Sequence, residues 1–246
     1  MIFNQIIDFL LAPSKKNDII ETMPIHQLSN ALIFPENHLA TSDGLLAVGG
    51  DLSIDRMLLA YRKGIFPWYE KGQPIMWWSP NPRFVLKPNS LKVSKSLKQS
   101  IRNRGFKVTF NQNFSQVLKG CKTINRKGQD GTWLTNELVQ SLNGLHQLGW
   151  SHSVEVWLND QLVAGVYGLA FGKVFFGESM FTTITDASKV GFVALVEQLK
   201  QQNFELIDCQ IFTPHLASFG AKLIPIDQFN QFLDNNASLH SDKLVL

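Results

Sequence analysis

The chain has 246 residues, enough for one large domain or two small ones with a sizeable core. With 44% apolar and 17% charged residues, its composition is that of a folded globular protein and excludes a disordered one. The net charge of +3 hides an asymmetry: residues 71–129 contain no Asp or Glu yet hold 13 of the 23 Lys and Arg, which points to a face for a polyanion. Two cysteines, Cys121 and Cys209, argue against a disulfide scaffold and suit a reducing, cytoplasmic setting. No CxxC or HxxxH spacing is present, so no metal site is expected.

In chain order, residues 1–12 (MIFNQIIDFLLA) read as a short amphipathic helix with Ile6, Ile7, Leu10 and Leu11 on one side. The stretch lacks a basic leader and is too short to span a bilayer, so no membrane association is expected. Residues 13–17 read as a linker. Ser53 can cap a helix with Met57, Leu58 and Tyr61 on its apolar face, and Gly64 suits its end. Residues 66–82 hold four prolines and read as irregular; residues 84–86 read as a short strand.

A basic helix is expected from Ser94 to about Arg104. Lys95, Lys98 and Arg102 share one face, and Leu97 and Ile101 face the core. Residues 106–110 read as a strand and 114–118 as part of a helix. Thr135 can cap a helix to about Leu148, with Leu138, Val139, Leu142, Leu145 and Leu148 as its apolar stripe. The period then changes: strands over 153–158, 162–171 and 174–177 are joined by turns at Asn159-Asp160 and Gly172. A helix over 187–200, a strand over 204–211, a short helix near 215–219, a strand over 222–225 and a helix over 227–233 complete the pattern.

This order describes an α+β protein: a small N-terminal domain, then a C-terminal domain resembling the N-acetyltransferase fold, with a mixed, mostly antiparallel sheet. The expected divisions are an extension over 1–33, a small domain over 34–88, a catalytic domain over 89–233 and a tail over 234–246.

The segments GLLAVGGDLS (44–53), YRKGIFPWY (61–69), WWSPNPR (77–83), GTWLT (131–135), HSVEVW (152–157), FGESMF (176–181) and IDCQ (207–210) closely resemble those of leucyl/phenylalanyl-tRNA–protein transferases. The motifs run in order over roughly 200 residues. The resemblance implies transfer of leucine or phenylalanine, with methionine as a further donor, from aminoacyl-tRNA to proteins with N-terminal Arg or Lys, marking them for N-degron proteolysis. It implies no metal and no nucleotide cofactor. A cytoplasmic monomer is expected.

Asp208 and Gln210, two apart on the expected strand, point to one side, with Ile207, Cys209 and Ile211 on the other. By resemblance they form the catalytic pair. Asp208 would hold or help deprotonate the attacking α-amine, and Gln210 would orient it or the ester carbonyl. Glu178, after a glycine at the end of an apolar strand, needs a cationic partner and would meet the acceptor's N-terminal residue. Trp68 and Trp133 resemble the platform for the tRNA's terminal adenosine. Trp77 and Trp78 read as core, and Phe175 as lining the aminoacyl side-chain pocket. Lys92, Lys95, Lys98, Arg102 and Arg104 would contact acceptor-stem phosphates. Leu142 departs from the aromatic residue common at its place, which bears on the acceptor or adenosine pocket.

Two other functions compete. An acetyl-CoA acyltransferase needs a Gly-rich turn before its crossover helix, and residues 181–188 (FTTITDAS) have no glycine. A non-catalytic RNA-binding module leaves Glu178, Asp208 and Gln210 without a role. A Cys209–His215 thiol pair has no third group to orient it.

Overall fold

A computed structural model describes residues 25–124 and 133–236. The expected helix at 1–12 and linker at 13–17 lie outside the described residues. Two sheets organise the described residues. The smaller has the order β1-β2-β4-β3: β1 is His26–Leu28, β2 Leu45–Gly49, β3 Phe66–Pro67 and β4 Met76–Trp78. The proline-rich stretch is therefore not wholly irregular. Pro67 sits on the edge strand β3, where a missing N–H does no harm, and the paired interior strand β4 contains no proline.

The larger sheet has the order β11-β5-β10-β9-β8-β7-β6, with β5 Arg83–Leu86, β6 Lys107–Phe110, β7 Ser151–Leu158, β8 Gln161–Phe171, β9 Val174–Thr182, β10 Leu206–Asp208 and β11 Lys222–Ile224. Only β9 and β10 pair in parallel there, so the sheet is mixed and mostly antiparallel as expected. Strand β5 precedes the expected division at residue 88 yet pairs within this larger sheet, and β1, inside the expected extension, pairs with β2.

The local signals explain most elements. Ser53, Ser94 and Thr135 accept backbone N–H bonds from Arg56, Leu97 and Leu138 and so cap α1 (Ile54–Arg62), α2 (Lys95–Asn103) and the helix Asn136–Gln147. That last helix is α4, following α3 (Phe114–Thr123). Leu148 is its C-cap residue and is exposed, because the apolar stripe closes one turn earlier, at Leu145. Asn159 and Asp160 have φ of 50° and 58°, the left-handed pair that a two-residue hairpin between β7 and β8 requires. Buried Glu155 on β7 accepts from Thr109 Oγ1 (2.7 Å), Ser153 Oγ (2.5 Å) and the Asn113 N–H (3.3 Å), tying the start of α3 to the sheet.

Helices cover both faces, so β8 is buried on alternate and intervening positions alike. One face carries α5 (Ala187–Gln201), with Val166, Ala170, Phe175 and Ile207 against Phe192 and Leu195. The other carries α1, α3, α4 and, after the short α6 (Pro214–Ser218), α7 (Ile226–Asn236), with Tyr167, Leu169 and Phe176 facing Tyr61 and Phe229. Among the described residues no helix is long and apolar enough to cross a membrane.

Candidate active site

Strands β9 and β10 run side by side only over Val174–Phe176 and Leu206–Asp208. Beyond that point β10 stops and β9 continues to Thr182. A cavity of about 810 Å³ opens there, lined by Gly177–Thr182 of β9, by residues 207–211, by Phe66 and Trp78 of the small sheet and by Trp68, which follows β3. The expected end of the third strand at Gly177 is thus too early. Tyr167 pairs with Ser179 and Gly168 with Gly177, leaving Glu178 as the extra residue of a β-bulge. A bulge re-aims its side chain, here toward the cavity.

Glu178 is only 9% exposed and forms no salt bridge among the described residues. Burial pushes its carboxyl up to about 8. The Tyr61 hydroxyl, Arg83 and Gln210 oppose that shift, and the Asp208 charge adds to it. The Tyr61 hydroxyl lies beside the carboxyl, and among the described residues no group meets hydrogen-bond geometry to it. Gln210 Nε2 donates to Glu178 Oε1 at 2.9 Å.

Asp208 faces away from Ile207 and Cys209, as strand alternation requires, but it is not a free base. It is fully buried, and Arg83 grips both its oxygens: Nε donates to Oδ1 at 2.8 Å and Nη2 to Oδ2 at 2.6 Å. Gln210 does not share its strand. Its backbone is left-handed (φ 63°), and its N–H donates to Asp208 Oδ1 at 2.8 Å. Asp208 thus meets the backbone of Gln210 through this turn, and the Gln210 side chain goes to Glu178 instead of lying beside Asp208 by strand alternation. Cys209 is buried, and burial holds its thiol far above the usual range, which removes the thiolate a nucleophile needs.

The aromatic wall is assembled from distant segments. Trp78 Nε1 donates to the Trp68 carbonyl at 2.6 Å, and Trp77 Nε1 to the Gly49 carbonyl at 2.9 Å. Tyr69 Oη and Thr135 Oγ1 lie 3.0 Å apart, joining the Trp68 segment to the cap of α4. Trp133, bonded through its carbonyl to the Thr135 N–H, therefore lines the same cavity as Trp68. Trp68 is half-buried, whereas Trp133 is 3% exposed. Trp77 is core as expected, but Trp78 also lines the cavity. Of GTWLT, Gly131 and Thr132 lie outside the described residues.

Phe175 lines the apolar end of the cavity with Phe192, Leu195 and Ile207. Leu142 is buried in the core and is not among the lining residues. Lys92, Lys95, Lys98, Arg102 and Arg104 are all exposed. Helix α2 is moored to the cavity rim, where Ser100 Oγ donates to Asp186 Oδ2 (2.9 Å) and Arg104 Nη1 to the Thr185 carbonyl (2.6 Å). Arg104 thus spends part of its guanidinium on this mooring. Arg83 and Tyr61 stand in the WWSPNPR and YRKGIFPWY segments, but nothing in the residue order brings them to this site: Arg83 lies 125 residues from its partner.

Residues 85–234 match the family profile of leucyl/phenylalanyl-tRNA protein transferase, and residues 50–81 match that of its N-terminal domain. The chain is 51% identical over 209 residues to the leucyl/phenylalanyl-tRNA–protein transferase of Flavobacterium psychrophilum, covering 85% of this chain and 99% of that one.

The chain belongs to the leucyl/phenylalanyl-tRNA–protein transferase family.

It is accordingly an aminoacyltransferase, and the transferase of Syntrophobacter fumaroxidans is similar at 52% identity over 214 residues, 87% of this chain and 92% of that one. Among solved structures, FemX has 10% identity and a TM-score of 0.46 over 70% of this chain and 67% of its own.

Proposed function

We propose that the cavity takes the aminoacylated 3′ end of a leucyl- or phenylalanyl-tRNA and the N-terminus of a protein beginning with Arg or Lys, and joins the two as a monomer. The observation that carries this reading is the meeting, in one cavity, of an apolar pocket, an aromatic wall and a buried carboxyl with no salt bridge among the described residues. Phe175 receives the leucyl or phenylalanyl side chain; such a pocket separates large apolar groups from small or polar ones but distinguishes similar ones weakly. Trp68 and Trp133 stack the terminal adenosine, worth about 1–3 kcal/mol per base regardless of sequence.

The ester is already activated, so alignment dominates: orientation supplies up to roughly 7–11 kcal/mol of the barrier. The α-amine nitrogen attacks the ester carbonyl carbon, the bond to the adenosine 3′-oxygen breaks, and the amine's proton leaves while the 3′-oxygen gains one. Gln210 donates its amide N–H to Glu178, which leaves its amide oxygen to accept from the attacking amine. Asp208, with both oxygens held by Arg83, positions Gln210 and does not take the proton. Glu178, ionised on contact, pairs with the acceptor's guanidinium or ammonium.

The test uses purified protein, labelled leucyl-tRNA and two peptides that differ only in an N-terminal Arg or Ala. Label is expected on the Arg peptide alone. Bound tRNA with no transfer to either peptide would overturn the reading and favour a binding module.

The exposed Lys95, Lys98 and Arg102 face would hold acceptor-stem phosphates beside the cavity rim. Their joint replacement by glutamine is expected to weaken tRNA binding and to flatten its salt dependence by about 0.9 in log–log slope per lost contact. A slope equal to that of the unsubstituted protein would place the tRNA elsewhere.

A further inference from the structure

Arg83 has no part in the reading above except as the partner of Asp208. It is fully buried, and the carbon of its guanidinium lies 4.9 Å from the ring centroid of Phe66 and 4.8 Å from that of Phe229. Its fork closes on Asp208, whose Oδ1 also accepts the Gln210 N–H. Gln210 is a non-glycine residue in the left-handed region, a conformation that persists only where the surroundings over-determine it. Strand β5, which carries Arg83, also holds this turn through its backbone: the Cys209 N–H donates to the Phe84 carbonyl (2.8 Å), and the Phe84 N–H to the Gln210 carbonyl (3.3 Å).

We propose that Arg83 is a positioning residue for aminoacyl transfer, setting through Asp208 and the backbone of Gln210 the direction in which Gln210 presents its amide to the attacking amine. The inference rests on the function proposed above. The guanidinium sits where both substrates' supports converge. Phe66 lies two residues before Trp68 on the aromatic wall, Phe229 comes from α7, and the path through Asp208 ends on Gln210 and Glu178. The position requires arginine. A planar fork matches both carboxylate oxygens and presents flat faces to aromatic rings, whereas lysine is a point charge on a flexible stem. Oδ1 of Asp208 accepts from Arg83 and from the Gln210 N–H, and Oδ2 accepts from Arg83, so in this reading Gln210 touches the amine and its aim depends on the tether.

The test is the kinetics of Arg83→Lys, with leucyl-tRNA as donor and an N-terminal Arg peptide as acceptor. The tether predicts a kcat about 10²-fold lower, the order that a small misplacement costs. It also predicts nearly unchanged KM for the peptide, nearly unchanged tRNA affinity, and a pH profile whose midpoint stays put. Retained kcat would overturn the inference. A lower kcat whose acid limb moves to higher pH would also overturn it, because that result makes Asp208 the base and Arg83 merely its counter-ion. If Arg83→Lys does not fold, Phe229→Leu keeps the ion pair and removes one ring. A fall in kcat at constant KM is then expected, and an unchanged kcat would be decisive against the tether. Transfer by the unsubstituted protein is the control that separates failure of this inference from failure of the proposed function; its absence removes both.

Discussion

Replacing Glu178 with glutamine is expected to raise the KM for an Arg-terminated acceptor by about 10- to 100-fold, the value of one hydrogen bond to a charged group, roughly 1.5–3 kcal/mol. Binding of leucyl-tRNA should be nearly unchanged. The pH dependence follows from the carboxyl's environment. Burial raises Glu178 to about 8, so at pH 7 it is mostly protonated. A cationic acceptor binds the ionised form, and below pH 8 it must displace a proton. The KM should therefore fall as pH rises toward 8 and level off above it. Calorimetry of the Arg peptide at pH 7, in buffers of different ionisation enthalpy, should show proton release that the glutamine variant lacks. Equal release in both proteins would mean that Glu178 does not meet the acceptor.

Stability provides an independent check of the same group. Its folded value of about 8 lies above the ordinary 4.5, so its contribution is fully present below pH 4.5 and is lost as pH rises through 8. Above pH 8 the buried charge costs several kcal/mol. Glu178→Gln should thus melt higher than the unsubstituted protein at pH 9 and close to it at pH 4. A variant less stable at pH 9 would show that the carboxylate is well solvated or paired.

Gly168→Ala should be the most disruptive single methyl group in the site. A Cβ there would stand 2.1 Å from the Phe176 carbonyl oxygen and 2.6 Å from the Phe175 ring. Backbone cannot yield as a flexible side-chain tip can, so strands β8 and β9 must part. Gly168 pairs with Gly177 at the edge of the bulge that aims Glu178, and Phe175 lines the apolar pocket. The expected results are a loss of about 3 kcal/mol, the upper range for overpacking, and transfer reduced by about 10²-fold or more, as misplacement of this kind produces. Urea melts and single-turnover transfer would measure both. Native stability with full transfer would show that the bulge is not held as described.

Elements signalled by neighbouring residues were legible in the amino-acid order. Ser53, Ser94 and Thr135 cap their helices, and Asn159-Asp160 turns the hairpin, because each signal acts within three or four residues. The third strand outruns its expected end at Gly177 and continues to Thr182. A bulge opposite Tyr167 and Gly168 keeps Glu178 and Ser179 in the sheet. The long strand assigned over 204–211 is only Leu206–Asp208, because Gln210 turns left-handed under the pull of Asp208. Strand β4 hid among prolines because its support comes from the neighbours β2 and β3.

By itself the sequence determined the α+β class, the capped helices, the basic stretch and the motifs that mark the family, since these depend on composition, short-range periodicity and local order. Only the tertiary structure decided which groups meet. Arg83 and Asp208 are 125 residues apart, Glu178 and Gln210 are 32 apart, and Tyr69 and Thr135 are 66 apart. Their encounters, the burial that raises Glu178 and the pairing that occupies Asp208 all arise from strand pairing and from the helices covering both faces of the sheet. Such effects depend on distance in space and on exclusion of water, and residue spacing along the chain records neither.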